Sequence, residues 1–271
     1  NYVLVNIDRG FQFKQIYGKH LLKSILLPKA NRFLFMSSTI LNFEEYASDL
    51  GLPMEETAII SLPSEFPVEN RPVYYFPTAK MSYGWNKPEN IKLQTRMVDQ
   101  VRNLCDIHKE DSGIIHTGSF ALTKWLVKEL RDKIPHQIVT HSDVVNDDDD
   151  TYFRDEAIKI FNDNNGKVPM VLISPSITEG LDLMEDKARF AVFAKVPYPN
   201  LSDAWVKRRL DLSNEWYQRQ AMIAIIQGGG RVVRSKEDWG QTYILDESFS
   251  NLWSRYKNLT PSWWVEAFHA K

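Results

Sequence analysis

Short blocks of consecutive apolar residues recur along the chain, separated by stretches in which apolar positions return every three or four residues. Residues 2–5, 33–36, 73–76, 113–116, 137–140, 170–173, 190–193 and 242–245 are of the first kind and predict strands. Blocks this short and this continuously apolar suit strands covered on both faces, as in a parallel sheet. Leu93, Met97, Val101, Leu104 and His108 fall on one helical face, as do Leu122, Trp125, Leu126 and Leu130. Ala157, Ile158 and Phe161 mark a shorter helix, and a long helical stretch covers 203–226 with a break near Ser213 and Asn214. Strand and helix in alternation predict a doubly wound α/β layer structure. In such folds ligands gather at the edge where strands end and helices begin, so functional groups are expected there.

Two segments punctuate this pattern. Residues 62–67 form a proline-containing connector, and the block before it reads as part of a neighbouring domain. Four consecutive acids, Asp147 to Asp150, read as a solvated loop that also gives the next helix a negative N-terminus. The chain opens with Asn1 already at a strand, without a charged leader or a small-residue cleavage site. It therefore reads as a piece of a longer polypeptide and not as a secreted precursor.

Composition narrows the chemistry. The 271 residues are 43% hydrophobic and 25% charged, enough for a sizeable core. No apolar run approaches a membrane span, so no membrane partner is expected. The single cysteine, Cys105, excludes an internal disulfide and a four-cysteine iron–sulfur site, and fits a reducing, cytoplasmic or otherwise intracellular setting. Its place on the inward face of a helix predicts an inert thiol. With 33 basic against 35 acidic residues, nucleic-acid binding would need a local basic strip.

A nucleotide site was sought first as a phosphate loop. Gly10 through Gly18-Lys19-His20 has seven residues between its glycines and a histidine where a magnesium-binding hydroxyl is needed, so it is rejected. The apolar run ending in Asp246-Glu247 imitates a magnesium-holding acid, but without a phosphate loop it reads as a strand end with solvated acids. The informative segment is Gln227-Gly228-Gly229-Gly230-Arg231-Val232-Val233-Arg234, with Ser235, Asp238 and Gly240 after it. Arginines three apart leave one face of a helical turn, and Gln227 lies one turn earlier on that side. Three glycines weaken a helix by roughly 1 kcal/mol each, so close approach of a backbone or a phosphate is expected. Paired guanidinium forks suit a polyanion. Upstream, Ser176, Thr178, Glu179, Gly180 and Asp182 follow one strand and Thr117, Gly118 and Ser119 close another. Ser119 is a candidate cap for the helix carrying Trp125, and Lys207-Arg208-Arg209 is a basic helix start.

Taken together, these residues resemble the second motor half of an XPD/DinG-type superfamily 2 DNA helicase. Residues 227–234 resemble motif VI (Q-x-x-G-R-x-x-R), and Ser176 through Asp182 resemble motif V around E-G-x-D. Residues 113–120 are similar to motif IV, 35–40 to motif III with Ser38 in place of the usual alanine, and 66–75 to the interdomain linker. The likeness is collinear over nearly the whole chain. It implies a RecA-like fold, with residues 1–60 as the tail of the first motor domain and 61–271 as the second. It implies ATP and Mg²⁺ held mainly by the first motor domain of the same polypeptide, with Arg231, Arg234 and Gln227 as the catalytic set on this side. Glu179, Gly180, Asp182 and Gly230 would lie on the nucleotide side. Thr117, Ser119, Ser176, Thr178 and Arg208 would touch the backbone of single-stranded DNA or a forked duplex, with movement 5′ to 3′. The resemblance also places the arginine pair at the sheet's ligand edge, facing a shared cleft. The cysteines that hold an iron–sulfur cluster in many relatives are not in this chain.

Blander readings stand beside this one. Trp125 and Trp216 lie on apolar helical faces and read as core; Trp85 reads equally as core or as a stacking platform; Trp263 and Trp264 read as docking the tail. His116 reads as a satisfied structural histidine. A non-catalytic RecA-like binding module and a nucleotide-sugar transferase are the alternative functions, the second leaving Gln227, Arg231 and Arg234 without a role.

Overall fold

The computed structural model describes residues 2–7, 10–140, 150–175, 183 and 185–271. Strands β1 (Tyr2–Ile7) and β2 (Gly10–Gln15) form an antiparallel hairpin. Then come α1 (Lys19–Leu21) and α2 (Phe43–Leu50), the latter capped by the Asn42 side chain accepting from Glu45 N–H at 2.9 Å. From β3 (Val73–Ala79) onward, strand and helix alternate as the periodicity requires: α3 (Ile91–Ile107), β4 (Gly113–His116), α4 (Phe120–Leu130), β5 (Gln137–Val139), α5 (Asp150–Asn164), β6 (Met170–Ser174) and β7 (Phe190–Phe193). The chain ends with α6 (Ala204–Leu212), α7 (Asn214–Gly229), β8 (Gln241–Asp246), α8 (Phe249–Tyr256), α9 (Ser262–Val265) and β9 (Phe268–Ala270).

Strands β3 to β9 make one sheet in the order β5-β6-β4-β7-β8-β3-β9, and every pairing in it is parallel. Both faces are covered, which is why its strands read as unbroken apolar blocks. On one face Ile115, Val192 and Leu245 meet Met97 and Val101 of α3 and Leu126 of α4. On the other, Phe193 and Ile244 meet Met222 and Ile225 of α7, while Ile114 and Leu172 meet Phe161 of α5.

The predicted break in the long helix falls at Ser213. It adopts an extended conformation (φ −155°), ends α6, and accepts the Trp216 N–H to start α7. The helix read from Ala157, Ile158 and Phe161 is longer than expected, at 15 residues. The acid run at 147–149 lies outside the described residues.

Two expectations are corrected. Residues 33–36 form no strand: Leu34 and Met36 are 79% and 80% exposed, and among the described residues no strand pairs with them. Asp246 is no solvated acid. It is 2% exposed, and its carboxylate accepts N–H groups from Val196 (2.9 Å), Ser248 (2.9 Å) and Met81 (3.2 Å), tying together the exits of β7, β8 and β3.

Candidate functional site

Helix α7 carries Gln227 to the centre of the molecule. Its amide donates to the Thr39 hydroxyl at 2.7 Å, joining the motif VI-like segment to the motif III-like one. The helix ends at Gly229, with Gly230 as its cap, so Arg231 and Arg234 lie beyond it. Their spacing is therefore not that of one helical face. Both line a cleft of about 1420 Å³, together with Ser37, Ser38, Ala58 and residues 60–66. Gly230 and Gln227 line the same cleft.

The three glycines do have close neighbours. A Cβ on Gly228 would come within 2.8 Å of the Phe193 ring and 3.5 Å of His116 Nε2; one on Gly229 would come within 2.9 Å of Thr242 Oγ1. At Gly228 and Gly229 the close approach is thus of sheet side chains to the helix, while Gly230 is exposed and lines the cleft.

The placement of Arg234 corrects the expectation about the ligand edge. The α7–β8 connection must return to the edge where strands begin. The Arg234 N–H donates to Asp238 at 2.9 Å, and Asp238 also accepts at 2.6 Å from Arg189, the residue just before β7. Arg234 therefore lies by the strands' beginnings, whereas Arg231 lies near His116, the last residue of β4. Both line the groove that includes Val73 and Thr242 of the sheet and part of the N-terminal segment.

At the carboxyl edge stand the other candidates. Ser119 caps α4, accepting from Leu122 N–H at 3.4 Å, as expected. Thr117 is corrected: it is fully buried, with its hydroxyl 2.6 Å from that of Thr123, and presents nothing to a ligand. Ser176, Thr178, Glu179, Gly180 and Asp182 lie outside the described residues. Half-buried Lys195 rests its stem against Gly118; burial pushes its pKa down while Asp246 opposes that.

Of the basic helix start, Lys207 and Arg208 are exposed, but Arg209 is buried. Arg209 pairs with Asp49 at 2.6 Å and lies over the Tyr17 and Trp216 rings at 4.7 Å each. It joins α6 to the N-terminal block, as do Arg219 paired with Glu45 and the Trp205 indole donating to the Gln15 carbonyl at 2.8 Å. The seam is not legible locally, because Asp49 and Tyr17, which complete the Arg209 site, lie more than 150 residues away in the chain.

The tryptophan readings hold for Trp125 and Trp216, and Trp85 is settled as core, 7% exposed and edge-on to Trp125 at 5.0 Å. Trp264 docks the tail at 2% exposure. Cys105 is buried and its thiol pKa is pushed up to about 12 by desolvation. His116 is buried, but satisfied it is not: neither ring nitrogen has a hydrogen-bond partner, and its ring stacks on Phe193 at 4.5 Å. Burial, with Arg231 nearby, lowers its pKa to about 3.

Comparison with known proteins agrees with this architecture. Residues 101–267 match the helicase C-terminal domain family. The Fanconi anemia group J protein homolog of Gallus gallus is 28% identical over 120 residues, 40% of this chain and 10% of that protein. The ATP-dependent DNA helicase CHL1 of Vanderwaltozyma polyspora is 22% identical over 222 residues, 73% of this chain and 26% of that protein. The chain thus spans about a quarter or less of the length of these relatives. Among solved structures, an XPD helicase superposes with a TM-score of 0.65 over the whole of this chain and 48% of its own, at 14% identity, a likeness of fold. The chain belongs to the helicase C-terminal domain family, and its fold is a RecA-like doubly wound sheet.

Proposed function

We propose that the protein works as an ATP-dependent DNA helicase in which this chain is the second motor half, residues 1–60 completing the first motor domain and 61–271 forming the second. The observation that carries the reading is that Gln227, Arg231 and Arg234 line one cleft, with Gln227 bonded to Thr39 of the N-terminal segment. A cleft of this size exceeds the roughly 300–1,000 Å³ of a small-molecule pocket, leaving room for the second lobe that a shared nucleotide needs. Among the described residues no group of three or more His, Cys, Asp or Glu side chains is arranged to hold a metal. By the resemblance, the reading gives Mg²⁺ and the ATP phosphates to the first motor domain.

On this reading Arg231 and Arg234 neutralise charge gathering on the γ-phosphoryl oxygens as the bond to the β-phosphate breaks, an effect worth roughly 10³–10⁵ in rate. Gln227 holds the nucleotide side against Thr39, and Glu179, Gly180 and Asp182 connect it to the strand-binding surface. Single-stranded DNA or a forked duplex is bound through Ser119, Ser176, Thr178 and Arg208. Opening and closing of the cleft moves the lobes along the strand. No described helix is long and apolar enough to cross a membrane. The reading places the protein where DNA is processed inside the cell: the cytoplasm with its nucleoid, or a nucleus.

The test is enzymatic. This chain by itself is expected to hydrolyse no ATP. In the polypeptide carrying both motor domains, Arg234→Ala is expected to lower kcat by at least about 10³ with an unchanged circular dichroism spectrum. Robust hydrolysis by the chain alone, or full turnover in Arg234→Ala, would overturn the reading.

A further inference from the structure

Strand β3 leaves the sheet at its carboxyl edge and passes directly into a turn that displays Tyr83. The residues on either side are anchored: Met81 is fully buried and Trp85 is 7% exposed, while Tyr83 between them is fully exposed. The backbone of the turn is fixed by consecutive hydrogen bonds, Trp85 N–H to Ser82 C=O at 3.1 Å and Lys87 N–H to Gly84 C=O at 3.0 Å. Two side chains brace it from behind, the Asn90 amide donating to the Gly84 carbonyl at 2.8 Å and the Gln94 amide to the Trp85 carbonyl at 3.2 Å. The backbone under the ring is already ordered, so only the Tyr83 side chain itself has freedom to lose when something stacks on it.

Charge lies on the same turn. Gly84 has a left-handed conformation (φ +83°), and the Lys87 stem lies across it where a Cβ would sit only 3.3 Å away. Lys80 is exposed on the approach to the turn. The nearest acid, Glu89, is 3.9 Å from Lys87 with both side chains more than half exposed, a pairing too weak to compete with a phosphate. Asp246 accepts from Met81 N–H with one oxygen and from Val196 N–H with the other, which places the turn on the same edge as Gly118 and Ser119. Three inter-strand steps separate β3 from β4, roughly 14 Å, a span that a few nucleotides cover.

We propose that Tyr83, with Lys87 on the same turn, is a stacking platform for one base of single-stranded DNA laid along the carboxyl edge of the sheet. The inference deepens the helicase reading and rests on it for the identity of the strand. An aromatic face and a cation on one turn are what a sequence-tolerant grip needs, because every base has a π-face and every nucleotide a phosphate.

Fluorescence anisotropy with a labelled oligodeoxythymidine of about 12 nucleotides tests it. Tyr83→Ala should weaken binding about tenfold, while Tyr83→Phe and Tyr83→Trp stay within about twofold. Lys87→Ala should reduce the slope of log affinity against log salt by about 0.7, as loss of one phosphate contact requires. An unsubstituted protein that binds the oligonucleotide and is unaffected by Tyr83→Ala overturns the platform alone and leaves the helicase reading standing. An unsubstituted protein that binds no oligonucleotide overturns both.

Discussion

His116 shows how much chemistry one buried side chain can hold. Its ring stacks on Phe193 beneath Gly228, and neither nitrogen has a partner. Burial first and the Arg231 charge second lower its pKa from 6.5 to about 3. In the unfolded chain the same ring takes a proton near pH 6.5, so between about 6.5 and 3 the unfolded state binds more protons than the folded one. Stability is then fully present above pH 6.5 and falls as pH drops, by up to about 1.4 kcal/mol per unit from this group. His136, also lowered by burial, acts in the same direction. Urea midpoints measured from pH 7 to 4 should show a shallower acid loss in His116→Phe than in the unsubstituted protein; parallel curves would refute this. Gly240 makes a complementary case, since a Cβ there would sit 2.6 Å from the Val232 carbonyl oxygen. Gly240→Ala should cost about 1–3 kcal/mol in chemical denaturation, because backbone and not a flexible side chain must give way. Neither feature was legible in the sequence. A strand-end histidine reads as satisfied, and Gly240 reads only as a residue trailing the arginine segment, until the fold brings the distant neighbours in.

The elements were mostly legible, and the exceptions share a cause. Apolar blocks at 113–116, 170–173 and 190–193 announce strands because burial on both faces leaves no position for a polar residue. Ser213 announces a helix break because its hydroxyl can cap the next helix. Residues 33–36 carry the same apolar signature and yet remain extended coil, since a strand is completed by a partner that the local sequence does not name. The N-terminal seam was hidden for the same reason. Arg209 reads as one more base in a charged helix start, whereas the fold buries it between Tyr17 and Trp216 and pairs it with Asp49. That pairing yields an asymmetric prediction. Asp49→Ala leaves a buried guanidinium without its carboxylate and should destabilise by about 3 kcal/mol. Asp49→Glu, which keeps the charge, should cost less. Equal denaturation midpoints for the two variants would show that the charge pair does not hold the seam.

At the scale of the whole molecule, the sheet separates two surfaces that the sequence had merged into one. The arginine cleft lies against residues 37–38, 58 and 60–66, with Arg234 where strands begin. Ser119 and the Tyr83 turn lie where strands end, the turn tied to the exits of β7 and β8 through Asp246. The merger followed from a rule about open parallel sheets that bind ligands in their own crevice; here the nucleotide side faces a second lobe, so the helix-to-strand connection is the one that matters. The separation makes the two activities independently removable. Without nucleotide, Gln227→Ala should leave affinity for single-stranded DNA within about twofold, because the side chain it deletes reaches Thr39 and not the carboxyl edge. In the polypeptide with both motor domains, the same substitution should lower ATP turnover by about 10–100-fold, as expected when a group that orients the reactants is lost. Anisotropy and phosphate-release assays on one preparation read both quantities. A variant that loses DNA affinity and turnover together would place Gln227 on a single merged site and refute the two-edged arrangement. Turnover retained in full would mean that the bond to Thr39 holds the fold without holding the nucleotide.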